Sequence, residues 1–321
     1  MPMGDLEAAR AALKRGQYKQ CIDICCQGVC DAQARGNETD MWWFRCLSAQ
    51  SLGMQGRFRE ALNTVDTENP GEHLEARVRI LVLAQRAFYL ERIGEYAPAK
   101  NLLEQAAKID CAQPNEELLA EVQLNRMTLF FYLADYDAME DCARAALVVA
   151  QRQLLATIEA GACSGIAKSL MVRGRFQEAI RWYERARMFF TAEGLSVDAI
   201  RMGSDLGCCY LGLDELDKAM QLFSEALQCA EASGASACMH HDHANIGCVY
   251  LKRGEYGAAL SHFQKALEIA RDLGDRISIG KWLNNLSLAY ERMGDSVQAM
   301  TCKVEAELVN QQVTQARTAA E

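Results

Sequence analysis

A turn signal recurs about every 40 residues along almost the whole chain, and no other feature limits the fold so tightly. A small or turn residue, an aromatic or apolar residue two places on and a small residue three further stand at Gly16/Tyr18/Cys21, Gly56/Phe58/Ala61, Gly94/Tyr96/Ala99 and Ala134/Tyr136/Met139. The same signal continues at Gly174/Phe176/Ala179, Asp214/Leu216/Ala219, Gly254/Tyr256/Ala259 and Gly294/Ser296/Ala299. Successive turn residues are 40, 38, 40, 40, 40, 40 and 40 apart. Length alone suggests about two domains of roughly 150 residues. A fixed period instead predicts one array of stacked units, because one unit cannot bury its apolar face alone. The expected organisation is therefore a single domain over 1–321. Its units are 2–41, 42–79, 80–119, 120–159, 160–199, 200–239, 240–279 and 280–321.

Each unit reads as two helices. Apolar and small residues at helical spacing precede the turn, as in Leu206-Gly207-x-x-Tyr210 and Ile246-Gly247-x-x-Tyr250. They resume after it in Ala259, Leu260, Phe263, Ala266 and Leu267. The turn Gly ends the first helix because it accepts the left-handed conformation of a C-cap. One such turn per unit is the expected use of the 22 glycines. The fold class is all-α, eight helix-turn-helix units.

The stretch from Ile246 through Gly247, Tyr250, Gly254, Tyr256, Ala259 and Phe263 to Ala266-Leu267 resembles the tetratricopeptide repeat (TPR), and the Leu206-Gly207-x-x-Tyr210 unit follows it less closely. The period is that of the long-repeat TPR proteins, a group that includes kinesin light chains, Pins-type adaptors and bacterial TPR regulators. The resemblance implies a right-handed superhelical solenoid whose first helices line a concave groove, and a non-catalytic scaffold or adaptor that binds a partner's peptide or helix there. It also implies the alternative of a sensory or regulatory TPR segment of a larger signalling protein, responding to a small ligand or signal peptide. The ends depart from the pattern: Cys21, Cys25 and Gly28 occupy core-type positions in the first unit, and Ser296 and Lys303 in the last. Residues Asn310 to Glu321 would extend the final helix or lead into a further domain.

Nine residues before each turn stand Glu7, Leu47, Gln85, Asn125, Gly165, Asp205, Asn245 and Asn285. In long-repeat adaptors an Asn here is implied to bond the backbone of an extended peptide, since an amide both donates and accepts. Gln85, Asn125, Asp205, Asn245 and Asn285 are the candidate row; the plain alternative is polar side chains facing water. Four residues earlier lie Arg201, His241 and Lys281, and Lys252 and Arg292 take a later inward position. Together they would form a basic strip suited to an acidic or carboxylate ligand. The carboxylate clamp of chaperone-binding relatives is not reproduced, because Ser204 and Cys208 stand where Lys and Asn belong. In Trp42-Trp43-Phe44 and Phe130-Phe131-Tyr132, two rings of each run are expected to be buried. Trp43 and Tyr132 are the candidates to reach the groove, against the alternative that all six rings fill space.

Cys238-Met239-His240-His241-Asp242-His243 suggests metal ligands, with Cys238 expected in an interhelix loop and His240 and His243 on one helix face. No second Cys or His pair at finger spacing follows, so loop and groove histidines are the default and no metal or cofactor is expected. Cys21, Cys25, Cys26 and Cys30 span two helix faces and read as packing residues. The 14 cysteines are scattered and expected to be reduced. Cys208, Cys209 and Cys248 lie near Arg201 and His241, which alone does not make a nucleophile.

No phosphate-binding Gly loop, Gly-x-Ser-x-Gly elbow or His-Glu-x-x-His pair is present, so no enzyme is expected. A formal charge of −9, from 34 basic against 43 acidic residues, argues against nucleic acid. The longest apolar stretches, Leu129 to Ala134 and Ala145 to Ala150, fall far short of the roughly 20 residues of a membrane span. The N-terminal residues lack a signal-peptide pattern. A cytoplasmic location and no membrane partner are the expectation. Burial of the whole protein as a subunit of a large assembly is a third reading.

Overall fold

The computed structural model describes residues 2–67, 70–110 and 116–319. Part of the expected third unit, 111–115, like the last two tail residues, lies outside the described residues. Sixteen helices, and no strand, occur among the described residues. They are α1 Pro2–Lys14, α2 Tyr18–Ala34, α3 Glu38–Met54, α4 Phe58–Val65, α5 Ala76–Ile93, α6 Tyr96–Asp110, α7 Glu116–Leu133 and α8 Tyr136–Gln153. They continue as α9 Ala156–Val172, α10 Phe176–Ala192, α11 Ser196–Gly212, α12 Leu216–Ser233, α13 Ser236–Arg253, α14 Tyr256–Leu273, α15 Arg276–Met293 and α16 Ser296–Thr318. The tail thus extends the last helix as far as Thr318. The chain clusters into two compact units, Met1–Met202 and Gly203–Glu321.

All eight turn residues take positive φ, including Ala134 at 62° and Asp214 at 65°. The reason is local. At Gly254 the amide donates to the Leu251 carbonyl (3.1 Å) and the next amide, of Glu255, to the Tyr250 carbonyl (2.9 Å), so the left-handed residue satisfies carbonyls that the helix end would leave open. A second set of left-handed residues, Gly36, Leu154, Gly194, Gly234 and Gly274, joins one hairpin to the next. One turn per unit was too few: both ends of a hairpin need this cap.

The first helices of the second to eighth hairpins begin at 38, 76, 116, 156, 196, 236 and 276, four residues ahead of the expected unit starts. Those first turns mix polar residues with apolar ones such as Val78, Leu118 and Ile158, all buried, so each helix starts one turn before the stretch used to mark its unit. Asn37 and Asp275 show what those turns supply: their side chains accept from the amides of Asp40 and Ser278 and cap α3 and α15. Cys238 therefore lies inside α13 and not in a loop.

The second hairpin departs from the rest, since α4 has only 8 residues. Beyond it the chain reads Asn69-Pro70-Gly71, which cannot continue a helix. Buried Arg86 of α5 donates from Nε to the Val65 carbonyl (2.6 Å), capping the shortened helix, and sits 5.9 Å over the Trp42 ring.

Small residues set the closeness of the hairpins. A Cβ at Gly247 would lie 2.6 Å from the ring of Phe263, and one at Gly207 would lie 2.7 Å from that of Phe223; both rings are fully buried. In unit Met1–Met202, α1, α3, α5, α7 and α9 pack successively on one another, as α13 and α15 do in Gly203–Glu321, while no two consecutive second helices among the described residues pack to the same extent. These successive first helices therefore approach one another more closely than successive second helices do.

Candidate functional site

In Gly203–Glu321 the row nine residues before the turn falls on α11, α13 and α15. Asp205, Asn245 and Asn285 are all half-buried. Asn285 Nδ2 donates only weakly, to Cys248 Sγ at 3.6 Å, and Asn245 makes no side-chain hydrogen bond among the described residues. Such an amide keeps a donor and an acceptor for a ligand.

On the same helix as Asn245 lies a residue that the sequence marked only as part of the histidine cluster. Asp242, 3% exposed, accepts from Ser204 Oγ at 2.5 Å and so ties α13 to α11. Burial pushes its carboxyl up to about 7, the Ser204 bond works against that shift, and the charge of Asp205 adds to it. The charge next to the row thus changes near neutral pH.

The basic strip is mostly engaged by the protein. Lys252 Nζ bonds the Leu211 carbonyl (3.0 Å) and Asp214 Oδ1 (2.9 Å), holding the turn of the preceding hairpin. Arg201, in the other unit, pairs with Asp198 at 2.9 Å. Lys281 and Arg292 are exposed on α15. His241 is half-buried beside the rings of His240 and Trp282, at 4.0 and 5.7 Å between centroids.

The Cys238-to-His243 cluster divides. His240 turns toward α15, where Trp282 Nε1 donates to its Nδ1 at 3.3 Å and Asp275 Oδ2 lies 3.8 Å from its Nε2. His243 turns toward α14, its Nδ1 3.2 Å from Nδ1 of His262. Burial, with Lys265 nearby, holds both of these imidazoles below their ordinary range. Three residues on a helix are about 60° apart, and α13 is flanked by two different helices, so nearby histidines meet different neighbours. Asp275, 35 residues from His240, completes the group that does form: one ligand atom each from His240, His241 and Asp275 lies within 4.8 Å of the others. The signal available for Asp275 was its place as an N-cap after Gly274.

In Met1–Met202 the candidates are more enclosed. Gln85 is 7% exposed, and neither polar atom of its side chain has a hydrogen-bond partner among the described residues. Asn125 is half-buried and donates to the Glu121 carbonyl of its own helix (2.8 Å). Leu47 is buried, and a Cβ at Gly165 would meet Met127 Sδ at 2.0 Å. Trp42 and Phe44 are buried, whereas Trp43 is half-exposed beneath the Arg10 guanidinium, 5.0 Å from its ring centre. The second aromatic run differs from expectation, since Phe130, Phe131 and Tyr132 are all half-buried. They are covered by side chains and not by the interior: Lys168 lies 4.5 Å over Phe131, and Tyr132 stacks on Tyr96 and accepts from Arg92. Among the thiols, burial raises Cys209 to about 12 and Cys248 to about 11, away from nucleophilic character.

Residues 236–306 match the family model of the tetratricopeptide repeat. Among solved structures, the chain is similar to a Rap protein complexed with Competence and Sporulation Factor, at 12% identity and a TM-score of 0.66, over 98% of this chain and 99% of that one. It is similar to NprR in complex with its cognate peptide NprX, at 15% identity and a TM-score of 0.62, over 84% and 77%. It also resembles aspartyl phosphate phosphatase F from Bacillus subtilis, at 14% identity and a TM-score of 0.55, over 97% and 94%. The repeat units at 236–306 match the TPR, and the fold is an all-α helical repeat similar to these structures. No helix among the described residues is long and apolar enough to cross a membrane.

Proposed function

We propose that the chain is a non-catalytic, cytoplasmic interaction scaffold, and that its Gly203–Glu321 unit holds an extended peptide or a helix of a partner protein against α11, α13 and α15. The observation that carries this reading is the half-buried, unbonded amide of Asn245, set between Asp205 and Asn285 on consecutive first helices. A peptide backbone offers the complementary donor and acceptor. Exposed Lys281 and Arg292 favour an acidic ligand, and the net charge of −9 makes nucleic acid an unfavourable one. The similar Rap structure is a complex with Competence and Sporulation Factor and the NprR structure a complex with its cognate peptide, which supports a peptide as the ligand class.

The test is the affinity of acidic peptides, selected on the whole chain from a displayed library, for the parent and for an Asn245→Ala/Asn285→Ala variant with unchanged helicity. Loss of two or more hydrogen bonds is expected to weaken binding about 10-fold or more. Unchanged affinity across the selected peptides would remove the Asn row from the account.

A further inference from the structure

We propose that His240, His241 and Asp275 form a binding site for one divalent transition-metal ion of the Zn2+ class, linking α13 to α15 within the Gly203–Glu321 unit. Four of the five histidines in the whole sequence lie on the α13–α14 hairpin, and two of them meet a carboxylate from the next first helix. Their ligand atoms are already within 4.8 Å of one another, and His240 Nε2 and Asp275 Oδ2 are 3.8 Å apart. Ligands on a tetrahedral ion with bonds of about 2.0–2.1 Å stand roughly 3.3 Å apart, so small side-chain rotations close the set. Two imidazoles and one carboxylate leave a fourth position for water or a ligand group. His240 and Asp275 are buried and His241 is half-buried, which supports the group from inside and leaves an approach from outside.

Of the surrounding hydrogen bonds, those from Ser278 hold a ligand in place, and the one from Trp282 must give way to the ion. Asp275 caps α15, accepting from the Ser278 amide (3.1 Å) and from Ser278 Oγ (2.9 Å), so its carboxylate is fixed by its own helix. The indole Nε1 of Trp282 can only donate, so His240 Nδ1 accepts and the neutral imidazole carries its proton on Nε2. An ion at Nε2 moves that proton to Nδ1 and deprives Trp282 of its acceptor. Indole emission therefore reports occupancy. The site stands independently of the peptide-binding reading.

The experiment is titration of the purified full chain with Zn2+ alone near neutral pH, by calorimetry and Trp emission. It is repeated on Asp275→Asn, His241→Ala and a His243→Ala/His262→Ala control. Asn preserves the helix cap while removing the carboxylate, so Asp275→Asn tests the ligand without removing the cap. One equivalent is expected to bind the parent and the control alike, with a change in Trp emission absent from Trp282→Phe. Asp275→Asn and His241→Ala should each weaken binding by at least the roughly 10- to 100-fold that loss of a mere supporting partner costs a metal site. Acidification to about pH 5 should release the ion as the imidazoles protonate. Absence of binding, affinity unchanged in Asp275→Asn and His241→Ala, or loss only in the His243/His262 control would each overturn the proposal.

Discussion

Replacing Asp242 by Asn should stabilise the protein by an amount that grows with pH. The folded carboxyl lies at about 7 against an ordinary value of 3.8, chiefly because it is buried. A group raised in the folded state contributes fully to stability below its unfolded value and loses that contribution as pH rises through the folded value. The relevant window is therefore about pH 4 to 7, where the difference grows by about 1.4 kcal/mol per pH unit. The whole shift corresponds to about 4 kcal/mol, reached near pH 8, and less than half of it is already present at pH 5. Asn keeps the shape and an acceptor for Ser204 Oγ but has no charge to desolvate. Urea unfolding of parent and Asp242→Asn at pH 5, 6, 7 and 8, followed by circular dichroism, should give a stability difference that widens by about 2–3 kcal/mol across the series. A constant difference would mean that this carboxyl is not the buried, proton-retaining group the structure places between α11 and α13. Ser204→Ala supplies the converse, a destabilisation larger at pH 8 than at pH 5, because the lost bond favours the charged form.

Three further outcomes rest on backbone and packing. Gly247→Ala should lower stability relative to Gly257→Ala by about 1–3 kcal/mol, since the new methyl at 247 meets the buried Phe263 ring while that at 257 meets open space. Gly257→Ala alone should stabilise α14 by about 0.5–1 kcal/mol; equal urea midpoints for the two variants would refute the packing argument. Leu154→Gly should stabilise the protein by about 1 kcal/mol, because Leu154 takes φ 58° while 87% exposed, and a lower midpoint would count against that reading. Cys26 and Cys30 are the exposed thiols among the described residues, so a thiol reagent should modify them well before Cys46, Cys163, Cys209 or Cys248, which burial raises to about 11 or 12; mass spectrometry of timed digests gives the order.

The hairpins were legible because their turns impose a conformation that few residues accept, and that requirement repeats at a fixed spacing. Gly16, Gly56, Gly94, Gly174, Gly254 and Gly294 meet it without strain, and Ala134 and Asp214 were recognisable only from their place in the period. The turns between hairpins were missed because Gly36, Gly194, Gly234 and Gly274 lie outside the motif used to find the units. Spacing also could not reveal that α4 ends at Val65, since the Asn69-Pro70-Gly71 break leaves the period almost intact. The site was less legible than the fold. Position in the repeat put Asn245 and Asn285 on first helices, but it did not show that Lys252 is engaged by Asp214 or that Gln85 is enclosed. Both depend on side chains tens of residues away. The histidine group shows the same limit: adjacency in sequence suggested Cys238 and His243 as companions of His240, whereas the helix directs His240 to Trp282 and Asp275.

Site-specific photocrosslinking tests the binding claim most directly. A photoreactive residue at exposed Asn284 on α15, one place from the Asn row, should capture a selected acidic peptide, and the same residue at exposed Gln264 on the second helix α14 should not. Addition of unlabelled peptide should abolish the Asn284 product. Capture at Gln264 with none at Asn284 would place the ligand on the second helices and contradict the account.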